Sequence, residues 1–382
     1  MIEESRKSPN DPVTHKKIPM MDLTAAFDTD AILARLKAVL ENGRYINGPE
    51  VQELEQKVSD YLGVEYAVGL NSGTDALVIG LRAAGIEEGD EVITTPFTFF
   101  ATAEAIHHCK AKPIYVDIDP NTFNLDMDLV EKALTPRTKA IICVHMFGNA
   151  CDMAHLEQIC QKHSIKLIED CAQSFSGTYH GKKLGSFGDV GALSFFPSKN
   201  LGSIGDAGMI VTNSHDIYTS AKMLRSHGSL KKYHNETIGY NSRLDTIQAA
   251  FLLEKIIKID EAFTRRNEIA ALYSEILAGN KGIHTPKPVQ GHGHSFHQYT
   301  LRVEGGRRDG LKEWLATKLC DSMIYYPIPL HKLPIYQNSD MGPLPISERI
   351  CSEVLSLPIW PEMSNETVEK VAELVQDYFR RS

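Results

Sequence analysis

The sequence predicts an α/β protein: a mostly parallel sheet with helices on both faces in a large domain, then a smaller C-terminal α/β domain. Three observations predict it. Short apolar strands alternate with amphipathic helices from residue 30 to residue 212, the pattern of a parallel sheet built from crossover units. The chain has 382 residues, enough for one large domain and a smaller one. A Gly-, Pro- and His-rich connector at residues 279–293 separates the last long helical stretch from a further strand and two helices.

The elements follow in order. Residues 30–42 read as a helix with Ile32, Leu33, Leu36, Val39 and Leu40 on one face. A second amphipathic helix covers 51–62, entered through Gly48-Pro49. Asn71-Ser72-Gly73-Thr74 opens a helix that runs to Ala84. Residues 91–94 make a short strand, 99–108 a helix and 113–117 a strand. Residues 140–144 read as a buried strand, 153–163 as a helix and 166–169 as a strand. The strands 190–195 and 209–212 come next, joined by a tight connection around Lys199. A long helical stretch covers 247–277, broken near Asp260. Beyond the connector lie a strand (298–303), a helix (310–319), a Pro-rich turn (326–329) and a final helix (366–380). The expected divisions are a loose N-terminal tail (1–20), a large domain (21–255) and a smaller domain (256–382).

Composition excludes several functions. A net charge of −9 argues against nonspecific nucleic-acid binding. Hydrophobic content of 42% and charged content of 23% are ordinary for a globular protein. No apolar run is long enough to span a bilayer, and the polar N-terminus lacks a signal-peptide core. Seven scattered cysteines without a CxxC pair point to a reduced, cytoplasmic protein. His292, His294 and His297 form an H-x-H-x-x-H cluster. The nearby acids complete no ligand set, so no metal is expected.

Chemistry concentrates around one lysine. Lys199 lies in Ser194-Phe195-Phe196-Pro197-Ser198-Lys199-Asn200-Leu201-Gly202, after a strand and among small, turn-forming residues. Upstream, Asp170 ends the strand Lys166-Leu167-Ile168-Glu169. In open α/β sheets ligands gather at the carboxyl ends of strands, where both residues fall. A partly desolvated lysine is a nucleophilic amine near neutral pH. A strand-end acid upstream of such a lysine is what a pyridoxal phosphate site needs. The lysine holds the cofactor as a Schiff base, and the acid keeps the pyridine nitrogen protonated. Alternation puts Glu169 and Asp170 on opposite faces, and on local sequence alone Asp170 also suits a turn or cap. Gln173 is within reach of the same ring. Asn71-Ser72-Gly73-Thr74-Asp75 opens a helix, so it offers either an anion site or a simple N-cap; Ser194 could add a hydroxyl. Of Phe97, Phe99 and Phe100, one can stack on a flat ring while the others pack in the core.

These residues carry a family likeness from about Met21-Asp22-Leu23 to the C-terminus. Its marks are Gly43-Arg44-Tyr45-Ile46-Asn47-Gly48-Pro49-Glu50, Asn71-Ser72-Gly73-Thr74-Asp75-Ala76-Leu77, Thr95-Pro96-Phe97-Thr98-Phe99, Glu169-Asp170-Cys171-Ala172-Gln173, Ser194 through Lys199 and Gly239-Tyr240-Asn241-Ser242-Arg243-Leu244-Asp245. The chain resembles the DegT/DnrJ/EryC1/StrS family of nucleotide-sugar aminotransferases. The resemblance implies an aspartate aminotransferase-type fold (pyridoxal phosphate fold type I) and a homodimer with shared active sites. By motif match Lys199 is the Schiff-base lysine and Asp170 the partner of the pyridine nitrogen. Gln173 lies near the ring hydroxyl and Phe99 stacks on the ring. Gly73, Thr74 and Ser194 hold the phosphate, which Asn241 reaches from the neighbouring subunit, with Arg243 at the sugar end.

The same likeness implies an amino group moved from L-glutamate to a nucleotide-linked keto sugar, with Lys199 carrying the proton in each half-reaction. Asn241 through Asp245 resembles members that aminate a 3-oxo sugar. A small Ser242, where many 4-oxo-sugar members have an aromatic, would let the sugar ring sit turned. The nearest likeness is to members acting on UDP-2-acetamido-2-deoxy-3-oxo sugars, the glucuronate included. Tyr325-Tyr326-Pro327 stands where such relatives often have His-Tyr-Pro, so Tyr325 is a substrate-binding candidate that favours a neutral or N-acetylated sugar only slightly over a glucuronate. A 4-oxo-sugar aminotransferase and a non-catalytic protein of this fold are the alternatives.

Overall fold

The structure is a computed structural model that describes residues 17–24, 28–287, 289–337 and 341–381. Two helices lead the chain, α1 (Thr29–Asn42) and α2 (Pro49–Leu62). The first is capped by the Asp28 carboxylate and closed by Gly43 in the left-handed region. Then come β1 (Tyr66–Leu70), α3 (Gly73–Ala83), β2 (Glu91–Thr94), α4 (Ala101–His108), β3 (Lys112–Tyr115), α5 (Met127–Ala133), β4 (Thr138–Val144), α6 (Met153–His163) and β5 (Lys166–Asp170). A two-residue hairpin, β6 (Thr178–Tyr179) and β7 (Lys182–Lys183), precedes β8 (Val190–Ser194), β9 (Gly208–Thr212) and α7 (His215–Leu224). The remainder is α8 (Thr246–Lys255), α9 (Ile259–Leu277), β10 (Ile283–His284), β11 (His292–Gly293), β12 (Tyr299–Val303), α10 (Arg308–Thr317), α11 (Pro345–Glu353), β13 (Val354–Leu357) and α12 (Asn365–Arg381).

Seven strands form one sheet in the order β1-β9-β8-β5-β4-β2-β3. Only β9 runs against its neighbours; β3, β2, β4, β5 and β8 pair in parallel. Apart from Lys139 in β4 and Lys166 at the start of β5, the residues of β2, β4, β5 and β9 are buried, as helices on both faces require. This geometry sends the chain out of β1, β2, β4, β5 and β8 at one edge, and the segments that follow these strands build the site. A second, antiparallel sheet, β10-β12-β13, packs with α9, α10 and α12 around its own apolar core.

Several expectations change. The long helix breaks at a 3-10 turn, Ile256–Lys258, just ahead of Asp260, where a break was expected. Along α9 the packing passes from one core to the other: Ile259 belongs to the first, Ile269 onward to the second. The connection around Lys199 is the loop 195–207, not a tight turn. Most of the tail (1–16) lies outside the described residues, but residues 17–20 are not loose. Ile18 is buried in the second core, its N–H donating to Leu319 O at 2.8 Å, while Asp321 N–H donates to Ile18 O at 2.9 Å. Of Phe97, Phe99 and Phe100 only Phe97 is buried; Phe100 is half-buried and Phe99 is 60% exposed.

Candidate active site

The edge where β1, β2, β4, β5 and β8 end encloses a cavity of about 650 Å³. Gly73, Thr74, Phe99, Asp170, Gln173, Ser194, Lys199 and Tyr325 all line it.

At one end α3 begins. Ser72 caps it, its Oγ accepting Asp75 N–H at 3.1 Å. The N–H groups of Gly73 and Thr74 in the first turn have no intrahelical acceptor, and the helix dipole adds positive potential there. Backbone closeness explains the small residues. A Cβ on Gly73 would lie 2.5 Å from Ser194 Cβ, and one on Gly208 would lie 2.2 Å from Ser72 O. The result is an anion cradle with the Ser194 hydroxyl facing the helix terminus.

At the other end Asp170 leaves β5. It is 5% exposed. Its Oδ2 accepts Thr102 Oγ1 at 2.9 Å and its Oδ1 accepts Ala172 N–H at 3.1 Å. Burial pushes its pKa above the usual range, while these donors and the Lys199 charge pull it back. Glu169 points the other way, as alternation requires. It is fully buried and accepts N–H donors from Gly185, Phe187 and Gly188, each at 2.8 Å, and from His145 Nε2 at 3.1 Å. Cys151 N–H donates to His145 Nδ1 at 3.1 Å, so Nε2 carries the ring proton. His145, Glu169 and Cys171 bring ligand-type atoms within 4.8 Å of one another. The imidazole and carboxylate lone pairs are already spent on these donors, which anchor β5 directly behind Asp170.

Lys199 sits between the two ends. It lines this cavity and a neighbouring pocket, and burial pushes its pKa down to about 8, with the Asp170 charge opposing. The amine is therefore a competent nucleophile near neutral pH. Gln173 is held from both sides. Its Oε1 accepts Phe147 N–H at 2.8 Å, and its Nε2 donates to Tyr326 Oη at 3.0 Å. Phe147 adopts a left-handed backbone (φ 58°), which turns that N–H toward Gln173. Phe99 and Tyr326 face each other with ring centres 6.2 Å apart.

Two expected site residues are elsewhere. Asn241 is exposed and does not line its own chain's cavity, and neither does Arg243, whose Nη2 donates to Asn241 Oδ1. Ser242, between them, is fully buried, with Oγ donating to Asn71 Oδ1 at 3.0 Å. It cannot touch a sugar, so the expectation that its size turns the sugar ring is withdrawn. Sequence reasoning missed Thr98, Thr102, Tyr326, His297 and Gln298, which also line the cavity. Tyr326 lay beside a chosen residue and His297 in a noted cluster; the threonines gave no signal, because only the α4 helix turn brings Thr102 to Asp170.

The cavity has a lysine amine, a buried acid facing it and an anion cradle, a donor set that fits pyridoxal phosphate. Comparison with known proteins agrees. The DegT/DnrJ/EryC1/StrS aminotransferase family profile matches residues 27–376. A "pleiotropic regulatory protein" of Geobacillus stearothermophilus is 42% identical over 95% of this chain and 99% of its own. A UDP-N-acetyl-3-dehydro-α-D-glucosamine 3-aminotransferase of Acidithiobacillus ferrooxidans is 41% identical over 94% of this chain and 97% of its own. A dTDP-3-amino-3,6-dideoxy-α-D-galactopyranose transaminase of Aneurinibacillus thermoaerophilus is 44% identical over 90% and 94%. The crystal structure of DesV from S. venezuelae superposes with a TM-score of 0.93 at 38% identity, covering 96% of this chain and 99% of that one. The chain belongs to the DegT/DnrJ/EryC1/StrS aminotransferase family. It has the aspartate aminotransferase-type fold and is a pyridoxal phosphate-dependent sugar aminotransferase. Among the described residues no helix is long and apolar enough to cross a membrane.

Proposed function

We propose that the protein transfers the amino group of L-glutamate to a nucleotide-linked 3-oxo sugar, for amino-sugar and polysaccharide synthesis in the cytoplasm. The observation that carries the reading is the convergence of Lys199, Asp170 and the α3 terminus on one cavity of about 650 Å³. That volume leaves room beside a cofactor for a substrate. The bound cofactor supplies an electron sink and a temporary store for the amino group.

The chain's own residues do the rest. Lys199 anchors the cofactor and, once released, holds and returns at Nζ the proton taken from the donor's α-carbon. Asp170 accepts a hydrogen bond from the ring nitrogen and keeps it protonated. Gly73, Thr74 and Ser194 bind the phosphate; Phe99 stacks on the ring and Gln173 reaches its hydroxyl. Asn241 and Arg243 act in the second subunit's cavity of a homodimer. Two facts support that arrangement: both residues lie off their own cavity, and Tyr45, Ile46 and Ile238 near this segment are 48%, 45% and 80% exposed.

Position 3 is supported by the names of two relatives, each at 41% identity or more. Tyr325 offers the substrate a hydroxyl and no cation, which suits a neutral or N-acetylated sugar. The test is product analysis by NMR after incubation with glutamate and matched 3-oxo and 4-oxo nucleotide sugars. Amination at position 4 alone would remove the 3-oxo reading and leave the family assignment standing.

A further inference from the structure

Asp170 has one oxygen held by the backbone and the other by a chain of hydroxyls. Oδ1 accepts Ala172 N–H at 3.1 Å, and Oδ2 accepts the Thr102 hydroxyl at 2.9 Å. Behind that contact, Thr102 Oγ1 lies 3.1 Å from Thr98 Oγ1. All three side chains are buried, and all three line the Lys199 cavity. Thr102 stands in the first turn of α4, and Thr98 lies just ahead of that helix.

The direction of the chain follows from counting protons. A hydroxyl has one to give. Thr102 gives its proton to Asp170, so the contact behind it runs from Thr98 to Thr102. The order Thr98, Thr102, Oδ2 therefore ends on a charged carboxylate. The reverse order would need a proton on Oδ2 and describes the neutral acid. Donors in series polarise one another, which strengthens the bond that reaches Oδ2. The Phe100 N-cap of α4 makes no side-chain bond, so the first turn beside Thr102 keeps its positive potential. Against these stands burial, which favours the neutral acid.

We propose that Thr102 is a positioning residue for Asp170 and that Thr98 acts through it: the two hydroxyls hold the carboxylate ionised and fix the plane in which its remaining lone pairs meet a ligand in the cavity. The inference rests on the reading of Asp170 as the partner of the ring nitrogen. The χ2 torsion of an aspartate is soft, so bonds to both oxygens are what fix that plane. A neutral or rotated carboxyl group would offer the ring N–H a poorer acceptor.

Valine at position 102 keeps the size and branching of threonine and deletes the hydroxyl, whereas serine keeps the hydroxyl. Wild type, Thr102→Val, Thr102→Ser, Thr98→Val, the double variant Thr98→Val with Thr102→Val, and Asp170→Asn are compared where all are folded by circular dichroism. Thr102→Ala takes the place of the valine variant if valine does not fold. The first readout is the ionisation midpoint of Asp170 in cofactor-free protein carrying carboxyl-13C aspartate, followed by NMR and needing no turnover. The Asp170 resonance is the one lost in Asp170→Asn. The groups that bear on this midpoint, Lys199 from the loop 195–207, His145 after β4 and Tyr326 from the Pro-rich turn, are the same in every threonine variant. The second readout is turnover of the loaded enzyme. A hydrogen bond to the charged form favours it, so its loss raises the midpoint. Thr102→Val should raise it by about one pH unit, the scale of one charge-assisted hydrogen bond, and cut turnover about tenfold. Thr102→Ser recovers most of both. Thr98→Val moves both in the same direction by less, and the double variant goes no further than Thr102→Val, since Thr98 reaches Asp170 only through Thr102. An unshifted midpoint in Thr102→Val, a serine variant no better than valine, or a Thr98 effect that adds in full in the double variant overturns the proposal. If Asp170→Asn turns over normally, the reading of Asp170 itself has failed; if that variant is inactive while Thr102→Val is normal on both readouts, only the threonine proposal falls.

Discussion

At Lys199 two forces oppose each other: burial favours the neutral amine and the Asp170 charge favours the ammonium. Burial wins, leaving the group near 8. The sign of the pH dependence follows. Below that value the amine is protonated and cannot attack; above it the amine is free. Cofactor attachment to the cofactor-free protein should therefore rise about tenfold per pH unit up to about 8 and then level off. A midpoint near the ordinary lysine value would mean that Lys199 is not the attachment point. Lys199→Ala should abolish both attachment and turnover. Asp170→Asn removes the charge that raises the lysine, so the attachment midpoint should move to lower pH. The same change should cut turnover at least about a hundredfold, the scale of losing a positioned electrostatic group. Near-normal turnover would exclude that role for Asp170. Both residues were legible because strand ends are legible. Tyr326 and His297 were not, since their places depend on contacts between distant segments.

Among the elements that sequence periodicity found, α1, α2, α6 and α12 carry their apolar residues on one face, whereas α3, buried all round from Ala76 to Leu81, was legible through its cap. It missed α5, α7 and α11 among the helices, and for several missed strands the reason is physical. β10 and β11 are two-residue strands that exist only through their pairing partners. β13 follows α11 with no turn residue between them. The short strand β1 is interrupted by Gly69. At the α3 terminus the requirement is space, not a special φ. Gly73→Ala puts a methyl 2.5 Å from Ser194. It should weaken pyridoxal phosphate binding at least about tenfold, an overpacking cost, with far-UV circular dichroism unchanged; unaltered affinity would mean the phosphate sits elsewhere. Ser242 illustrates the opposite error, in which a motif position looked like a contact. Because it is fully buried, Ser242→Phe should cost about 1–3 kcal/mol of stability through overpacking, read as a lower melting temperature. Ser242→Ala should leave the position of amination unchanged; a switch between carbons 3 and 4 would restore it as a specificity residue.

On the scale of the whole molecule, one chain supplies the lysine, the acid and the anion cradle, yet leaves Asn241 and Arg243 off the cavity. Hydrophobic patterning speaks only of the chain that carries it, so a second subunit is expected solely from the family likeness. Two ways of using Asn241 make different predictions for mixed subunits. If each chain serves its own cavity, mixing inactive Lys199→Ala with inactive Asn241→Ala subunits yields nothing, since every chain is defective. If Asn241 serves the partner's cavity, each hybrid dimer has one cavity with an intact lysine and an intact asparagine. Random exchange of equal amounts makes half the dimers hybrid, so about one quarter of all cavities regain function. Activity should appear only after conditions that exchange subunits, and it should scale with the hybrid fraction separated by a charge tag. No recovery in purified hybrids, or a fully active monomer in the ultracentrifuge, would show that the cavity is complete within one chain.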